Sequence, residues 1–102
     1  MRAGAEGASL PPYRIFETRQ SSGDLERLGG VARSRLEAKL REHVYSILCE
    51  NPHFGPNTKR LKNWDPPTWR YRIGAWRFFY EIDEEHRTVF MTVAEHRKQA
   101  YR

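Results

Sequence analysis

Residues 69–82 constrain this chain more than any other stretch, because they predict two β-strands joined by a tight turn. Aromatic and β-branched residues flank Gly74-Ala75, and a glycine first in a two-residue turn predicts a type II′ hairpin in which Ile73 pairs with Trp76. Because successive side chains of a strand point to opposite faces, one face of this hairpin is apolar. That face predicts a sheet covering a hydrophobic core.

The other face of the hairpin carries Arg70, Arg72, Arg77 and Phe79, with Arg72 directly across from Arg77. Like charges facing each other across two strands destabilise a hairpin by roughly 0.2–1 kcal/mol. This arrangement favours binding of an anion. The alternative is that the arginines extend into solvent or pair with nearby acids, since surface ion pairs and repulsions are worth little.

Charge is concentrated around the hairpin. The net charge of the 102 residues is +5, and the segment from Lys59 to Arg77 holds six cations against one anion. Basic residues interleaved with aromatic ones indicate a polyanion, and RNA suits these residue types better than duplex DNA because unstacked bases need aromatic or guanidinium platforms. An acidic protein would satisfy the same charges. Lys59, Arg60 and Lys62 are candidates for RNA binding, or for a lysine-protected edge strand.

Several classes of function are not expected. No apolar run approaches the ~20 residues of a membrane span, and no signal-peptide pattern is present, so we expect no membrane partner and no export. The single cysteine, Cys49, fits a reducing cytoplasm, and its position predicts a core or half-buried thiol rather than a nucleophile. The four histidines are scattered and there is no glycine-rich phosphate loop, so no metal and no small-molecule cofactor is expected.

The rest of the chain predicts a single domain over 13–102, preceded by a disordered leader over 1–12. A strand is predicted at 13–17, followed by a short helix capped within 21–24, and then by a long helix over 31–50. An edge strand at 59–62 precedes the hairpin. The segment 88–94 predicts a strand buried on both faces and therefore central in its sheet. The apolar stripe of the long helix is predicted to consist of Ala32, Leu36, Leu40, Val44, Ile47 and Leu48.

The tail after the last strand carries His96, Arg97 and Tyr101. Histidine can act as acid or base near neutral pH, arginine can stabilise charge on a phosphate, and tyrosine can stack on a base or move a proton. Beside the hairpin arginines, these are the parts of metal-independent RNA cleavage by 2′-hydroxyl attack on the adjacent phosphate. The alternative is that Tyr101 packs on the sheet and His96 hydrogen-bonds a backbone carbonyl.

The order of strand, two helices, basic hairpin and tail over residues 13–101 resembles the RelE/ParE superfamily of type II toxins, most specifically at 69–82 and 96–101. The resemblance implies an α+β fold in which a small, antiparallel-rich, twisted sheet packs on an N-terminal helical hairpin. It also implies a cognate antitoxin protein that wraps and neutralises the toxin.

The superfamily is divided by function. RelE-like members cut mRNA in the ribosomal A site without metal, and ParE-like members inhibit DNA gyrase. The RelE-like site, carried over position by position, falls on Arg70, Arg72, Arg77, Arg97 and Tyr101. The resemblance therefore implies a ribosome-dependent mRNA endonuclease. A ParE-like gyrase inhibitor, or a relic that binds antitoxin or DNA without activity, is the alternative.

The sequence departs from the RelE-like pattern at the general base. An arginine stays protonated and is a poor base, and Lys59 or Arg60 stands where one branch has a glutamate. His96 and Tyr101 are then the candidates for the proton acceptor, ahead of Glu95.

Each candidate site residue is given a role in this RelE-like reaction. Arg77 and Arg97 are predicted to hold the scissile phosphate, while Arg70 and Arg72 dock the RNA backbone or orient the attacking hydroxyl. Phe79 is predicted to stack on a base. Lys59, Arg60 and Lys62 are predicted to steer the molecule to ribosomal RNA.

Overall fold

The computed structural model of the protein describes residues 12–27 and 30–96. Nearly all of the predicted leader, and the predicted site residues Arg97 and Tyr101, lie outside the described residues. In chain order the elements are β1 (Arg14–Glu17), α1 (Arg19–Glu26), α2 (Gly30–Lys39), a π-helical turn (Leu40–Val44), α3 (Tyr45–Glu50), β2 (Thr58–Arg60), β3 (Trp69–Ile73), β4 (Trp76–Asp83) and β5 (Thr88–His96).

The five strands form one sheet in the order β1-β5-β4-β3-β2, in which β1 runs parallel to β5 and all other neighbours are antiparallel. The predicted hairpin is confirmed, since Ile73 pairs with Trp76 and Arg72 with Arg77. Gly74 has a φ of 54°, a left-handed conformation that a residue with a Cβ adopts only with strain. The α+β fold expected from the sequence is therefore present.

The helices cover one face of this sheet. Leucines of both helices pack with Tyr71, Phe78 and Tyr80 into one core, and each of these three tyrosine and phenylalanine side chains is buried. The predicted edge strand is also confirmed, although β2 ends at Arg60 and Lys62 lies in the turn that follows.

The last strand differs in one respect from its prediction. β5 lies between β1 and β4, as expected of an internal strand. Val89 and Met91 are fully buried against the helices, but Phe90 and Val93 on the opposite face are only half-buried. The prediction of burial on both faces is wrong because, in the described part of the chain, helices cover only one side of the sheet.

The predicted start of the first helix is also wrong. The helix begins at Arg19 and is capped by Thr18, whose hydroxyl oxygen accepts the backbone N–H of Ser21 at 3.3 Å. The same hydroxyl donates to the carbonyl of Met91 at 2.7 Å, which ties the end of β1 to β5. Ser21 and Asp24, which we expected at the cap, are buried inside the helix.

The long second helix spans 30–50 without a break, with the π-helical turn in its middle. Leu36, Leu40, Val44 and Leu48 are buried as the stripe predicts, and Ile47 is half-buried. Ala32 is exposed because it lies before the first residue that reaches the sheet. Among the described residues, no helix is long and apolar enough to cross a membrane.

A polar cluster ties the β4–β5 turn to the start of β1. The hydroxyl of Tyr13 donates to Glu84 Oε1 at 2.5 Å, and His53 Nε2 contacts the other oxygen of the same carboxylate. The guanidinium of Arg87 lies 4.0 Å from the ring centre of Tyr13. Hydrogen bonds from Tyr13 and then from His53 lower the pKa of the Glu84 carboxyl below its ordinary value.

This cluster predicts a loss of stability in acid. A carboxyl whose pKa is lower in the folded state stabilises the fold above its unfolded pKa of about 4.3, and this stabilisation is lost as the pH falls through the folded pKa. We expect Glu84→Gln to reduce the difference in melting temperature between pH 7 and pH 3. Glu85→Gln, at an exposed position of the same turn, is the control. An unchanged pH dependence in Glu84→Gln would contradict the assignment.

Candidate functional site

Three arginines share the face of the sheet that the helices leave open. Arg72 and Arg77 are direct partners across β3 and β4, and Arg70 lies two residues before Arg72 on the same strand. Lys59 of β2 is the partner of Arg70 on its other side. We call this surface the arginine face, meaning the open sheet face that carries Arg70, Arg72 and Arg77.

The arginine face is under electrostatic strain. Burial lowers the pKa of the Arg70 guanidinium below its ordinary value, and the charges of Arg72 and Arg77 lower it further. Within the described part of the chain, the Nε atoms of Arg70 and Arg77 are buried without a hydrogen-bond partner. Buried donors in folded proteins are nearly always paired. Two unpaired guanidinium donors on the same sheet face therefore favour an oxyanion as the missing acceptor.

Glu95 also lies on the arginine face. It is the strand partner of Arg77, and its Oε1 accepts a hydrogen bond from Arg77 Nη2 at 2.7 Å. The side chains of Arg77 and Glu95 are 24% and 33% exposed, so the ion pair is open to a ligand. The contact orients the guanidinium of Arg77 and places a carboxylate within reach of whatever binds there.

His96 is not brought to the arginine face. It pairs with Trp76, and its ring meets the indole of Trp76 edge-on with the centroids 5.2 Å apart. Trp76 packs against the core on the helix side of the sheet. Because neighbouring side chains on a strand point to opposite faces, Glu95 faces the arginines and His96 faces away.

The three basic residues proposed to bind RNA are divided between two surfaces. Lys59 lines a cleft of about 400 Å³ together with Arg70 and Arg72. Arg60 points the other way, with its guanidinium 5.5 Å from the ring centre of Trp69. Arg60 and Lys62 together line a separate cleft of about 280 Å³ that continues into the loop before the hairpin.

An aromatic pair extends the arginine face. Phe79, the strand partner of Arg70, meets the ring of Trp64 edge-on with the centroids 5.6 Å apart. Trp64 comes from the loop between β2 and β3 and is about half exposed. Sequence reasoning missed Trp64. The signal that could have revealed it is a tryptophan between Asn63 and Asp65, in a polar loop where no core position is predicted.

Other chemistries find less support among the described residues. In that part of the chain no group of three or more histidine, cysteine or carboxylate side chains is placed to hold a metal ion. Cys49 is half-buried, and burial raises the pKa of its thiol. This environment is that of a packing residue, as the sequence predicts.

Residues 10–100 match the family model described as the ParE toxin of the type II toxin–antitoxin system parDE. The chain therefore belongs to the RelE/ParE superfamily of type II toxins. Within it the chain is a RelE-family toxin, since it is 32% identical to Toxin RelG of Mycobacterium tuberculosis over 92 residues, 89% of this chain and 98% of the relative.

Solved structures agree with this placement. The toxin–antitoxin complex RelBE2 of Mycobacterium tuberculosis matches with a TM-score of 0.69 and 29% identity, covering 87% of this chain and 95% of that chain. The archaeal RelE–RelB complex of Pyrococcus horikoshii matches with a TM-score of 0.60 over 84% of this chain and 96% of that chain. At 20% identity, this second match supports the fold alone.

Proposed function

We propose that the chain is an endoribonuclease that cleaves mRNA on the ribosome without a metal ion. The observation that carries this proposal is that, among the described residues, the buried guanidinium Nε atoms of Arg70 and Arg77 have no hydrogen-bond partner, on the face where Glu95 contacts Arg77. Such donors suit the phosphate of a nucleic-acid strand, to which arginine presents a planar fork.

The reaction that suits this surface needs no external nucleophile. The 2′-hydroxyl of the RNA attacks the adjacent phosphorus and loses its proton. The bond to the 5′-oxygen of the next nucleotide breaks, which leaves a 2′,3′-cyclic phosphate and a protonated 5′-hydroxyl. Negative charge grows on the phosphate in the transition state. Arg70, Arg72 and Arg77, with Arg97 from the tail, would stabilise that charge.

The proton acceptor must lie on the same face as the phosphate. Glu95 meets this condition by its contact with Arg77, whereas His96 lies on the other side of the sheet. We therefore propose Glu95 as the acceptor, with Tyr101 of the tail as the group that returns a proton to the leaving oxygen. The aromatic pair of Trp64 and Phe79 would stack on a neighbouring base.

The partner that controls this activity is proposed to be a cognate antitoxin. The matching structure RelBE2 of Mycobacterium tuberculosis is a toxin–antitoxin complex. A protein partner that neutralises the toxin must cover or distort a face that mRNA and ribosomal RNA would otherwise reach. We place both the toxin, as a single domain over 13–102, and its antitoxin in the cytoplasm, where ribosomes are found.

Inhibition of DNA gyrase is the second candidate function. The description of the matching family model, a ParE toxin, favours it. Nothing in that mode of action requires a guanidinium cluster with unpaired donors, because a gyrase inhibitor performs no phosphoryl chemistry.

One set of assays separates the two candidates. The full chain is added to programmed ribosomes carrying end-labelled mRNA, to the same mRNA without ribosomes, and to a gyrase supercoiling reaction. We expect cleavage in the first reaction, little in the second and undisturbed supercoiling in the third. Blocked supercoiling with intact mRNA on the ribosome would assign the chain to the ParE-like mode.

A further inference from the structure

A second basic cleft lies around the corner from the arginine face. It has a volume of about 250 Å³ and runs between the second helix and the β3–β4 turn, where Lys39 and His43 line one wall and Arg72 and Gly74 the other. Asn57 and Arg72 also line the cleft beside Lys59 on the arginine face. The two clefts therefore meet, and together they form one groove.

The groove can pass around the sheet because the edge strand is short. The last residue pair between β2 and β3 is Thr58 with Tyr71, so β3 continues beyond the end of its neighbour. At this edge Arg72 donates its backbone N–H to the carbonyl of Asn57 at 3.1 Å. The open end of β3 leaves a path from the arginine face to the helix.

The helix presents a lysine and a histidine at this path. Lys39 and His43 are four residues apart, so they lie on the same side of the helix, and both are exposed. They sit at the π-helical turn, a feature that often marks functional sites. Leu40 and Val44 of the same turn are fully buried, and this burial holds the helix wall of the cleft in place. No carboxylate lines either cleft among the described residues.

We infer that this groove holds the backbone of single-stranded RNA, and that Lys39 and His43 bind a phosphate outside the arginine cluster. The choice of RNA rests on the proposed function, because the groove leads directly to the face proposed to cleave the strand. A flexible strand with a charge at every nucleotide can follow a bent, basic path that duplex nucleic acid cannot enter. The groove thereby fixes the direction in which the strand leaves the site.

The test is binding of an uncleavable RNA to the full chain. A fluorescein-labelled hexanucleotide that is 2′-O-methylated throughout is titrated by fluorescence anisotropy over a range of salt concentrations. Lys39→Gln is expected to weaken binding several-fold and to reduce the slope of log K against log salt by about 0.7, the value for one phosphate contact on a single strand. A dinucleotide, too short to span both clefts, should bind the variant and the unmodified protein equally.

Arg35→Gln is the matched control. Arg35 is exposed on the same helix, about one turn before Lys39, lines neither cleft, and its replacement removes the same charge. We expect its affinity and slope to stay near those of the unmodified protein. Equal losses in both variants would overturn the proposal in favour of a general electrostatic effect.

Two further results would also decide the matter. If Lys39→Gln leaves RNA binding unchanged but weakens binding of a polyglutamate peptide, the groove belongs to an acidic protein segment and the RNA proposal fails. The converse result is that mRNA stays intact on the ribosome while Lys39→Gln still lowers RNA affinity. That result would support RNA binding in the groove and refute the proposed nuclease function. The binding and cleavage assays thus distinguish the two proposals.

Discussion

Replacing Arg77 with alanine is expected to abolish growth inhibition and to slow mRNA cleavage on programmed ribosomes by about 100-fold or more. Removing one preorganised donor from a site that stabilises developing charge typically costs a factor of 10²–10³ in rate. Arg77 is such a donor, because the contact with Glu95 fixes its guanidinium while its Nε remains unpaired among the described residues. The measurement is single-turnover cleavage of end-labelled mRNA, together with growth after expression.

The fold of the Arg77→Ala variant should survive. The Arg77–Glu95 pair is partly exposed, and such pairs contribute only about 0–1 kcal/mol to stability. Arg77→Lys should give an intermediate rate, since lysine keeps the charge but lacks the planar fork. Arg35→Ala, which removes an exposed arginine of the second helix, should cleave normally. Full toxicity of Arg77→Ala with an unchanged melting temperature would remove Arg77 from the site.

The hairpin could be predicted because its information is local. Alternation with a period of two assigns each residue of 69–82 to a face, and the glycine at 74 fixes the register across a two-residue turn. The register in turn places Arg72 opposite Arg77. Local pattern also sufficed for most of the second helix, whose stripe from Leu36 to Leu48 meets the sheet.

The choice between Glu95 and His96 could not be made from sequence, because it depends on an irregularity in the pairing of β4 with β5. From Asp83 back to Tyr80, β4 pairs with β5 in one register, and a β-bulge between Phe79 and Tyr80 shifts it by one residue. The shift makes Glu95 rather than Ala94 the partner of Arg77. A bulge inserts one extra residue in a strand and thereby re-aims the side chains beyond it. No pattern in residues 88–96 indicates this bulge.

The role of Asp24 in the first helix also could not be predicted from sequence. Its place after two serines and a glycine suggested a cap, but its carboxylate is buried and serves a strand 70 positions away. Asp24 Oδ2 accepts the backbone N–H of Ala94 at 2.9 Å, and Oδ1 accepts a hydrogen bond from Gln20 and contacts Arg27. Sequence cannot reveal such a contact, since it exists only once the helix has packed on β5.

Replacing Asp24 with alanine is therefore expected to destabilise the fold by about 2–3 kcal/mol. The substitution leaves the buried N–H of Ala94 without its acceptor, and an unsatisfied buried donor costs about 1–3 kcal/mol, with more lost when the partner was charged. For a domain of this size, such a loss lowers the melting temperature by roughly 10 °C or more. Chemical and thermal denaturation followed by circular dichroism measure it.

Two control variants separate the hydrogen bond between Asp24 and Ala94 from the other contacts of Asp24. Asp24→Asn keeps an oxygen that can accept the same N–H, so it should cost less than half as much as alanine. Arg27→Ala removes only an exposed partner, with 68% of its side chain in solvent, and should cost under about 1 kcal/mol. Equal costs for Asp24→Ala and Arg27→Ala would refute the role of the buried bond. Because Ala94 directly precedes Glu95, losing that anchor should also loosen the carboxylate that orients Arg77, so Asp24→Ala should slow cleavage even at temperatures where the variant remains folded.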